Sequence, residues 1–286
     1  MLWFKKRPET ARSGGTETVE PVHLAVELDP RVFELKFRVL LEALSGAGGV
    51  DPFLAALGAK SALFGEALAP GAIDELDLGK AQVLLETVMP ARKRIWPVLA
   101  AAGDQQVRGA VKDLLYGHAP LEGRMEAFVA ALPGASGADA KAAKTVRRAL
   151  HDFAAELLHF RAPAQYPLMA RWVWDQGTHA GALRELVKGG DSVDRVEMGT
   201  APGVFEAGRQ WVAERMAEQG MYREPHFVVD IFLAHAYADY MRALSSGMGL
   251  LNADFGGKDD PLEVVRKLLG IDRARRAESR VKKALH

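Results

Sequence analysis

The sequence predicts an all-α fold, a compact multi-helix globular protein that follows a disordered N-terminal tail. Three observations predict this fold: apolar residues recur at helical spacing in nearly every segment, alanine is abundant while β-branched residues rarely run together, and the linkers are short. The chain has 286 residues, of which 49 % are hydrophobic and 26 % charged, so it is long enough to bury a core. No repeat of about 20 to 50 residues stands out, which disfavours a solenoid.

The composition divides the chain into three parts. Residues 8–20 are almost entirely Pro, Glu, Thr, Ser, Gly and Arg, which predicts a flexible tail over residues 1–21. A helical domain is predicted over residues 22–270, followed by a basic C-terminal helix over residues 271–286. The polar stretch 189–202 is either a mobile loop or a subdomain boundary within the helical domain.

Helix start and stop signals define the elements of the first half. An Asp N-cap followed by Pro30 starts a helix that runs to Gly46. Asp51 and Pro52 repeat that signal and predict a short helix that ends near Gly58. Helical spacing predicts the next helices over residues 78–88, 91–102, 104–116, 122–132 and 139–160.

The second half begins with a concentration of aromatic residues. Pro167 is expected to start a helix that carries Trp172 and Trp174. Two residues on a helix are separated by about 200° around its axis, so one indole is expected in the core and the other at a ligand or partner. The remaining helices are predicted over residues 182–188, 203–219, 225–245 and 261–269.

Composition excludes several classes of protein. The absence of cysteine excludes disulfides, iron–sulfur clusters, thiolate zinc sites and cysteine nucleophiles. The balance of 37 basic and 37 acidic residues argues against bulk attraction to nucleic acid. No apolar stretch approaches the length of a membrane span, and the N-terminal residues do not have the order of a secretory signal. We therefore expect a cytoplasmic protein without a membrane span.

Two predicted helices carry polar residues at ligand-like spacing. Asp152, Glu156 and His159 share one face of the longest helix, and His235 and Asp239 are four residues apart on a later one. If the two helices pack together, these five groups form a candidate acid–base, ligand-binding or metal-binding pocket. Di-iron helical proteins need two Glu-x-x-His pairs, and this chain has one, so no metal or other cofactor is predicted.

One turn is similar to a known nucleic-acid motif. The segment Leu132-Pro133-Gly134-Ala135-Ser136-Gly137 lies between two predicted helices and resembles an expanded Leu-Pro-Gly-x-Gly turn of helix-hairpin-helix DNA repair proteins. In that family the backbone amides of the turn meet a DNA phosphate. The chain departs from the family's glycosylases, because Lys141 and Lys144 are displaced from the nucleophile's position and Met169-Ala170 stands where a catalytic Asp is required.

These features lead to three functional hypotheses. The first is a helical accessory or adaptor protein that binds another protein, because Leu2, Trp3 and Phe4 form a tethered apolar tip and the basic C-terminal segment includes Arg275 and Arg276. The second is an enzyme or ligand binder that uses the interhelical His and carboxylate pocket. The third is a degenerate helix-hairpin-helix protein that binds nucleic acid.

Overall fold

A computed structural model of the protein describes residues 18–89, 91–135, 139–247 and 260–272. Within these ranges there are nine α-helices and no β-strand, which confirms the all-α class and the compact multi-helix architecture. The predicted tail up to residue 17 and the predicted C-terminal helix beyond Asp272 lie outside the described residues.

The helices follow one another through mostly short linkers, with three short 3₁₀ turns at Ala72–Glu75, Arg184–Leu186 and Gly190–Ser192. In chain order they are α1 (Pro30–Gly46), α2 (Asp51–Ala67), α3 (Leu78–Glu86), α4 (Arg92–Tyr116), α5 (Leu121–Ala131), α6 (Ala140–Arg161), α7 (Pro202–Glu218), α8 (Pro225–Gly247) and α9 (Pro261–Leu269).

The start signal at Asp29 acts as expected, whereas α2 begins at Asp51 with Val50 as its N-cap and no side chain that caps it. Four helices begin after an aspartate whose carboxylate accepts backbone N–H groups of the first turn, which otherwise have no partner; these are Asp29, Asp77, Asp139 and Asp260. Gly103, with φ 78° and ψ 168°, breaks α4 into two helical parts, as its position between two predicted helices indicates.

The predicted end of the second helix is wrong. Helix α2 continues through Gly58 for nine further residues to Ala67. A glycine costs a helix interior only about 1 kcal/mol, and the continuation buries Leu63 and Phe64 completely or nearly so. Burial of this apolar face therefore outweighs the weak stop signal.

The helix predicted from Pro167 is also wrong. Residues 167–183 form irregular structure and turns, because the carbonyls of Trp172 and Val173 accept from the N–H groups of Ala182 and Leu183, at 2.9 and 3.0 Å, instead of from residues four positions on. The chain thus doubles back on itself at this point, and the helix predicted over residues 182–188 is reduced to the 3₁₀ turn at Arg184–Leu186.

Helix α6 lies at the centre of the fold. It packs against α2, α4 and α5, and every residue from Asp152 to Phe160 is buried. Helix α8 packs against α1, α2, α7 and α9, so α2 contacts both of these helices. In the described part of the chain no single helix has the length and apolar character of a membrane span, although α1 and α2 pass together as a pair bent by 93°.

Candidate functional site

A cleft of about 710 Å³ opens beside the middle of α6, at Arg148 and Asp152. It lies between the start of α4, the turn segment 171–181, the C-terminal part of α8 and the end of α9. Its size is within the range of small-molecule sites. Among the described residues, six cationic side chains line it, and they are Arg92, Lys93, Arg94, Arg148, Arg171 and Lys267.

Two of these cations are fixed by carboxylates. Arg171 donates to Asp152 from its backbone N–H at 3.0 Å, from Nε at 2.9 Å and from Nη2 at 2.6 Å. Beside this pair, Arg148 forms an ion pair with Asp175. Burial raises the pKa of Asp152, and the Arg171 guanidinium opposes that shift. The two pairs join α6 to the turn segment and hold both arginines at the wall of the cleft.

Three consecutive cations stand at the start of α4. Arg92, Lys93 and Arg94 make no ion pair with any described residue, and Lys93 and Arg94 are exposed. The third carboxylate of the cleft is Asp272. Because the first turn of a helix is electropositive, three cations there are unfavourable in the free protein and favour a bound anion. The cleft therefore has an excess of positive charge.

The cleft wall also has large apolar and aromatic side chains, which are Met89, Trp172, Tyr237, Met241 and Leu268, and it is completed by Thr178, Ala180 and Gly181. The ring centroids of Trp172 and Tyr237 are 6.3 Å apart at an interplanar angle of 46°. The indole Nε1 of Trp172 is buried and has no acceptor among the described residues. Burial raises the pKa of Tyr237, so its hydroxyl remains protonated at neutral pH.

Glu156 lies in the core and not in the cleft. Its Oε2 accepts from Lys60 Nζ at 2.7 Å, and both side chains are buried, with 1 % and 0 % exposure. Lys60 Nζ also donates to the carbonyls of Thr87 and Leu269, at 3.1 and 2.8 Å, and lies 3.7 Å from the centre of the Phe160 ring. Burial lowers the pKa of Lys60 and raises that of Glu156. This cluster joins α2, α3, α6 and α9.

The polar faces of α6 and α8 meet at His159. Its Nε2 lies 2.8 Å from Asp230 Oδ2 and its Nδ1 lies 2.8 Å from the Tyr166 carbonyl oxygen. A carbonyl only accepts, so Nδ1 is the donor there and a proton lies between Nε2 and the carboxylate. Both side chains are at most 2 % exposed, so a ligand cannot reach this pair without opening the core.

His235 and Asp239 occupy a different face of α8. His235 comes five positions after Asp230 on α8, so its side chain points about 140° away from that of Asp230 around the helix axis. His235 Nδ1 lies 3.6 Å from Asp239 Oδ2, and its Nε2 is buried without a described partner. The structure thus brings Glu156 and His159 into one buried region, places Asp152 at the cleft, and leaves His235 and Asp239 apart. Among the described residues no group of three His, Asp or Glu side chains is arranged to hold a metal ion.

The predicted binding residues fall in three places. Trp174 is in the core, where Nε1 donates to the Gly199 carbonyl at 2.9 Å, whereas Trp172 lines the cleft. The predicted tip and the basic C-terminal residues lie outside the described part of the chain, and these are Leu2, Trp3, Phe4, Arg275 and Arg276.

The predicted hairpin joins α5 to α6. Gly134 has φ +82°, which glycine adopts without strain, and a Cβ added there would contact Val146 and Val98 at 3.7 to 3.9 Å. Ser136 and Gly137, which complete the resemblance, lie outside the described residues. The turn therefore connects the two helices as expected, and a phosphate contact there stays a prediction.

Sequence reasoning missed the cations of the cleft and the buried lysine. The run Arg92-Lys93-Arg94 was visible at a predicted helix start, where three positive charges oppose the helix dipole. Lys60 comes three residues after Leu57 and four before Phe64, so it lies on the apolar face of the helix. A lysine on an apolar face indicates a buried partner for its charge. Ending the helix at Gly58 concealed that signal.

Comparison of the chain with protein-family models, with curated proteins and with solved structures gave no match. Function is therefore inferred from the chemistry of the cleft.

Proposed function

We propose that the protein binds a ligand carrying more than one negative charge in the cleft between α4, α6, α8 and α9. The supporting observation is the imbalance of charge on its wall. Six cations line the cleft with three carboxylates, and two of those carboxylates are bonded to Arg148 and Arg171. Arginine is suited to phosphate because its planar guanidinium donates two parallel hydrogen bonds. A phosphate-bearing ligand is the best match.

The experiment is calorimetric titration of the full chain with pyrophosphate at low and at physiological salt. We expect binding that weakens as salt rises, and a loss of affinity of at least about tenfold when Arg92 and Arg94 are both changed to Glu. The matched control is Arg38→Glu, because Arg38 is an exposed helical arginine of α1 that does not line the cleft. Equal loss in the control and in the double variant would reject the site.

A second candidate is binding of nucleic acid. The observation that favours it is that α6 starts at the hairpin and carries Arg148, which lines the basic cleft eight residues further on, or about 12 Å along the helix. Retardation of duplex DNA at low salt that is lost in Arg148→Glu would support it. No retardation by the unmodified protein would argue against it.

The accessory-protein hypothesis is a separate proposal, in which the protein binds another protein through its two terminal segments. It depends on Leu2, Trp3, Phe4, Arg275 and Arg276, outside the described residues. Changing Leu2, Trp3 and Phe4 to Ala is expected to weaken capture of a protein partner while leaving the melting temperature unchanged. Unchanged capture would reject the tip as a docking peptide.

A further inference from the structure

The cleft is lined by two chemically different sets of side chains. The first set is the cations, among them those at the start of α4, and the second is the apolar and aromatic side chains Met89, Trp172, Tyr237, Met241 and Leu268. A bare phosphate would use the first set and leave the second in water. Burying apolar ligand surface against the second set would stabilise the complex further.

From this division we propose that the ligand is an organic phosphate whose body is a flat ring bearing a hydrogen-bond acceptor. The proposal rests on the proposed function, because the phosphate is the anion held by Arg92, Lys93 and Arg94. The ring is expected to lie against Trp172 and Tyr237, whose rings are in tilted contact with 6.3 Å between their centroids.

The unpartnered donor on Trp172 is the independent observation. A buried N–H without an acceptor carries an energetic cost because it has lost its hydrogen bond to water, and native structures rarely leave one unpaired. An acceptor atom on a bound ring would remove that cost. Because Nε1 of Trp172 is covered in this structure, an adjacent side chain must move before a ligand can contact it. The half-buried Tyr237 is the expected side chain, since it is the aromatic neighbour of Trp172 that also lines the cleft.

The backbone around Trp172 is built to hold the indole in place. The Trp172 and Val173 carbonyls accept from the N–H groups of Ala182 and Leu183, and Gly181 passes so close that a Cβ there would lie 2.6 Å from the Val173 oxygen. The two Arg–Asp pairs fasten the same turn to α6. Trp172 is therefore a positioned wall residue of the cleft.

The test measures the binding of four probes to the full chain by calorimetry and tryptophan fluorescence. The probes are pyrophosphate, glycerol 3-phosphate, 1-naphthyl phosphate and adenosine monophosphate. We expect adenosine monophosphate, which has a flat ring with acceptors, to bind at least about tenfold more tightly than pyrophosphate and glycerol 3-phosphate. Naphthyl phosphate, which has a ring without an acceptor, should be intermediate.

Two variants examine the aromatic side chains of the cleft. Trp172→Phe keeps an aromatic ring and removes Nε1, so it should abolish the advantage of adenosine monophosphate over naphthyl phosphate. Tyr237→Ala should weaken both ring phosphates by a larger factor than pyrophosphate. Trp211→Phe is the matched control, because Trp211 is a partly buried indole of α7 that does not line the cleft.

The outcomes separate this inference from the proposed function. If pyrophosphate binds as tightly as the ring phosphates, the inference is overturned and the anion site stands. If none of the four probes binds, both are overturned. The comparison among probes uses the unmodified protein, so it remains decisive even if a variant fails to fold.

Discussion

Lys60 Nζ lies 2.7 Å from Glu156 Oε2 in the centre of the protein, and neither side chain is more than 1 % exposed. The ammonium has three donors, and each has an acceptor: the Glu156 carboxylate, the carbonyl of Thr87 directly after α3, and the carbonyl of Leu269 at the end of α9. One buried side chain therefore caps the C-terminal ends of two helices and neutralises the Glu156 carboxylate of α6. The cleft borders α6 and α9, so part of its wall depends on this cluster.

The first prediction is that Lys60→Met strongly destabilises the protein. It leaves the Glu156 charge buried without a partner and two carbonyls without a donor, for which we expect a loss of about 3 to 5 kcal/mol in the free energy of unfolding. Urea denaturation measures it. The control Lys112→Met removes an exposed pair with Asp74 and should cost less than about 1 kcal/mol. Adding Glu156→Leu to Lys60→Met should recover part of the loss, and no recovery would contradict the unpaired-charge explanation.

The second prediction concerns the charge of the cleft. Asp175→Asn releases Arg148 from its ion pair, while the amide oxygen can still accept from Gly177 N–H, which now bonds to Asp175 Oδ1 at 3.0 Å. One more uncompensated positive charge should raise the affinity for pyrophosphate by about two- to fivefold at low salt. Calorimetric titration measures the change.

The matched control for this prediction is Asp74→Asn. It also removes a carboxylate from an ion pair, with Lys112, but neither residue lines the cleft. Its effect on affinity should be small. If Asp175→Asn weakens pyrophosphate binding, the role of the carboxylate is to position the turn and not to compensate charge.

The sequence was sufficient for the class of fold and for most helices, because start signals such as Asp29-Pro30 and Asp139 act within one turn. It was insufficient where distant backbone groups decide. Nothing near Pro167 reveals that the Trp172 carbonyl bonds to Ala182 and that the expected helix does not form.

The candidate site shows the same division. Spacing placed Asp152, Glu156 and His159 on one face, but their partners Arg171, Lys60 and Asp230 come from three other parts of the chain. A helical face identifies which residues point together. Only the packing of the neighbouring elements decides which of them become a cleft wall and which become a buried cluster.

The third prediction is a loss of stability in mild acid. Burial lowers the pKa of His235 below 6.5, and the charge of Asp239 opposes this shift. The charges of Arg242 on α8 and Lys36 on α1 lower the pKa further, whereas that of Asp260 at the start of α9 raises it. Between pH 6.5 and the lowered folded-state pKa the unfolded chain binds more protons than the folded one. The free energy of unfolding therefore falls as the pH falls through that window.

The comparison that checks it is His235→Gln, which removes the titrating group. The difference in melting temperature between about pH 7.5 and pH 5.5 should be smaller in this variant than in the unmodified protein. His118→Gln, at an exposed position between α4 and α5, serves as the control and should keep the original difference. An unchanged difference in His235→Gln would exclude His235 as a source of the acid sensitivity.

The fourth prediction concerns the turn that holds Trp172. Gly181 has φ +132°, and a Cβ there would lie 2.6 Å from the Val173 oxygen and 2.8 Å from the Trp174 Cα. Gly181→Ala should therefore cost at least about 1 kcal/mol of stability. Gly58→Ala, inside α2 with no atom within 4 Å of the added Cβ, should instead stabilise the protein by up to about 1 kcal/mol. Chemical denaturation of both variants gives the two signs.

The fifth prediction concerns Arg184, which organises the polar segment after the turn. Its guanidinium donates to the carbonyls of His179 at 2.6 Å, Gly190 at 3.2 Å and Val193 at 2.7 Å. A lysine has one nitrogen in place of three and cannot bridge all of these acceptors, so Arg184→Lys should loosen the segment around residues 189–202. Limited proteolysis should then cut this segment several-fold faster than in the unmodified protein.

The position of the cut distinguishes local loosening from general instability. Arg209→Lys is the control, because Arg209 also donates to two carbonyls, of Pro163 and Ala164, from α7. It should leave cleavage within 189–202 unchanged. If Arg184→Lys is cut no faster there, or is cut faster everywhere, the guanidinium does not hold that segment, because a local clamp releases only the chain that it binds.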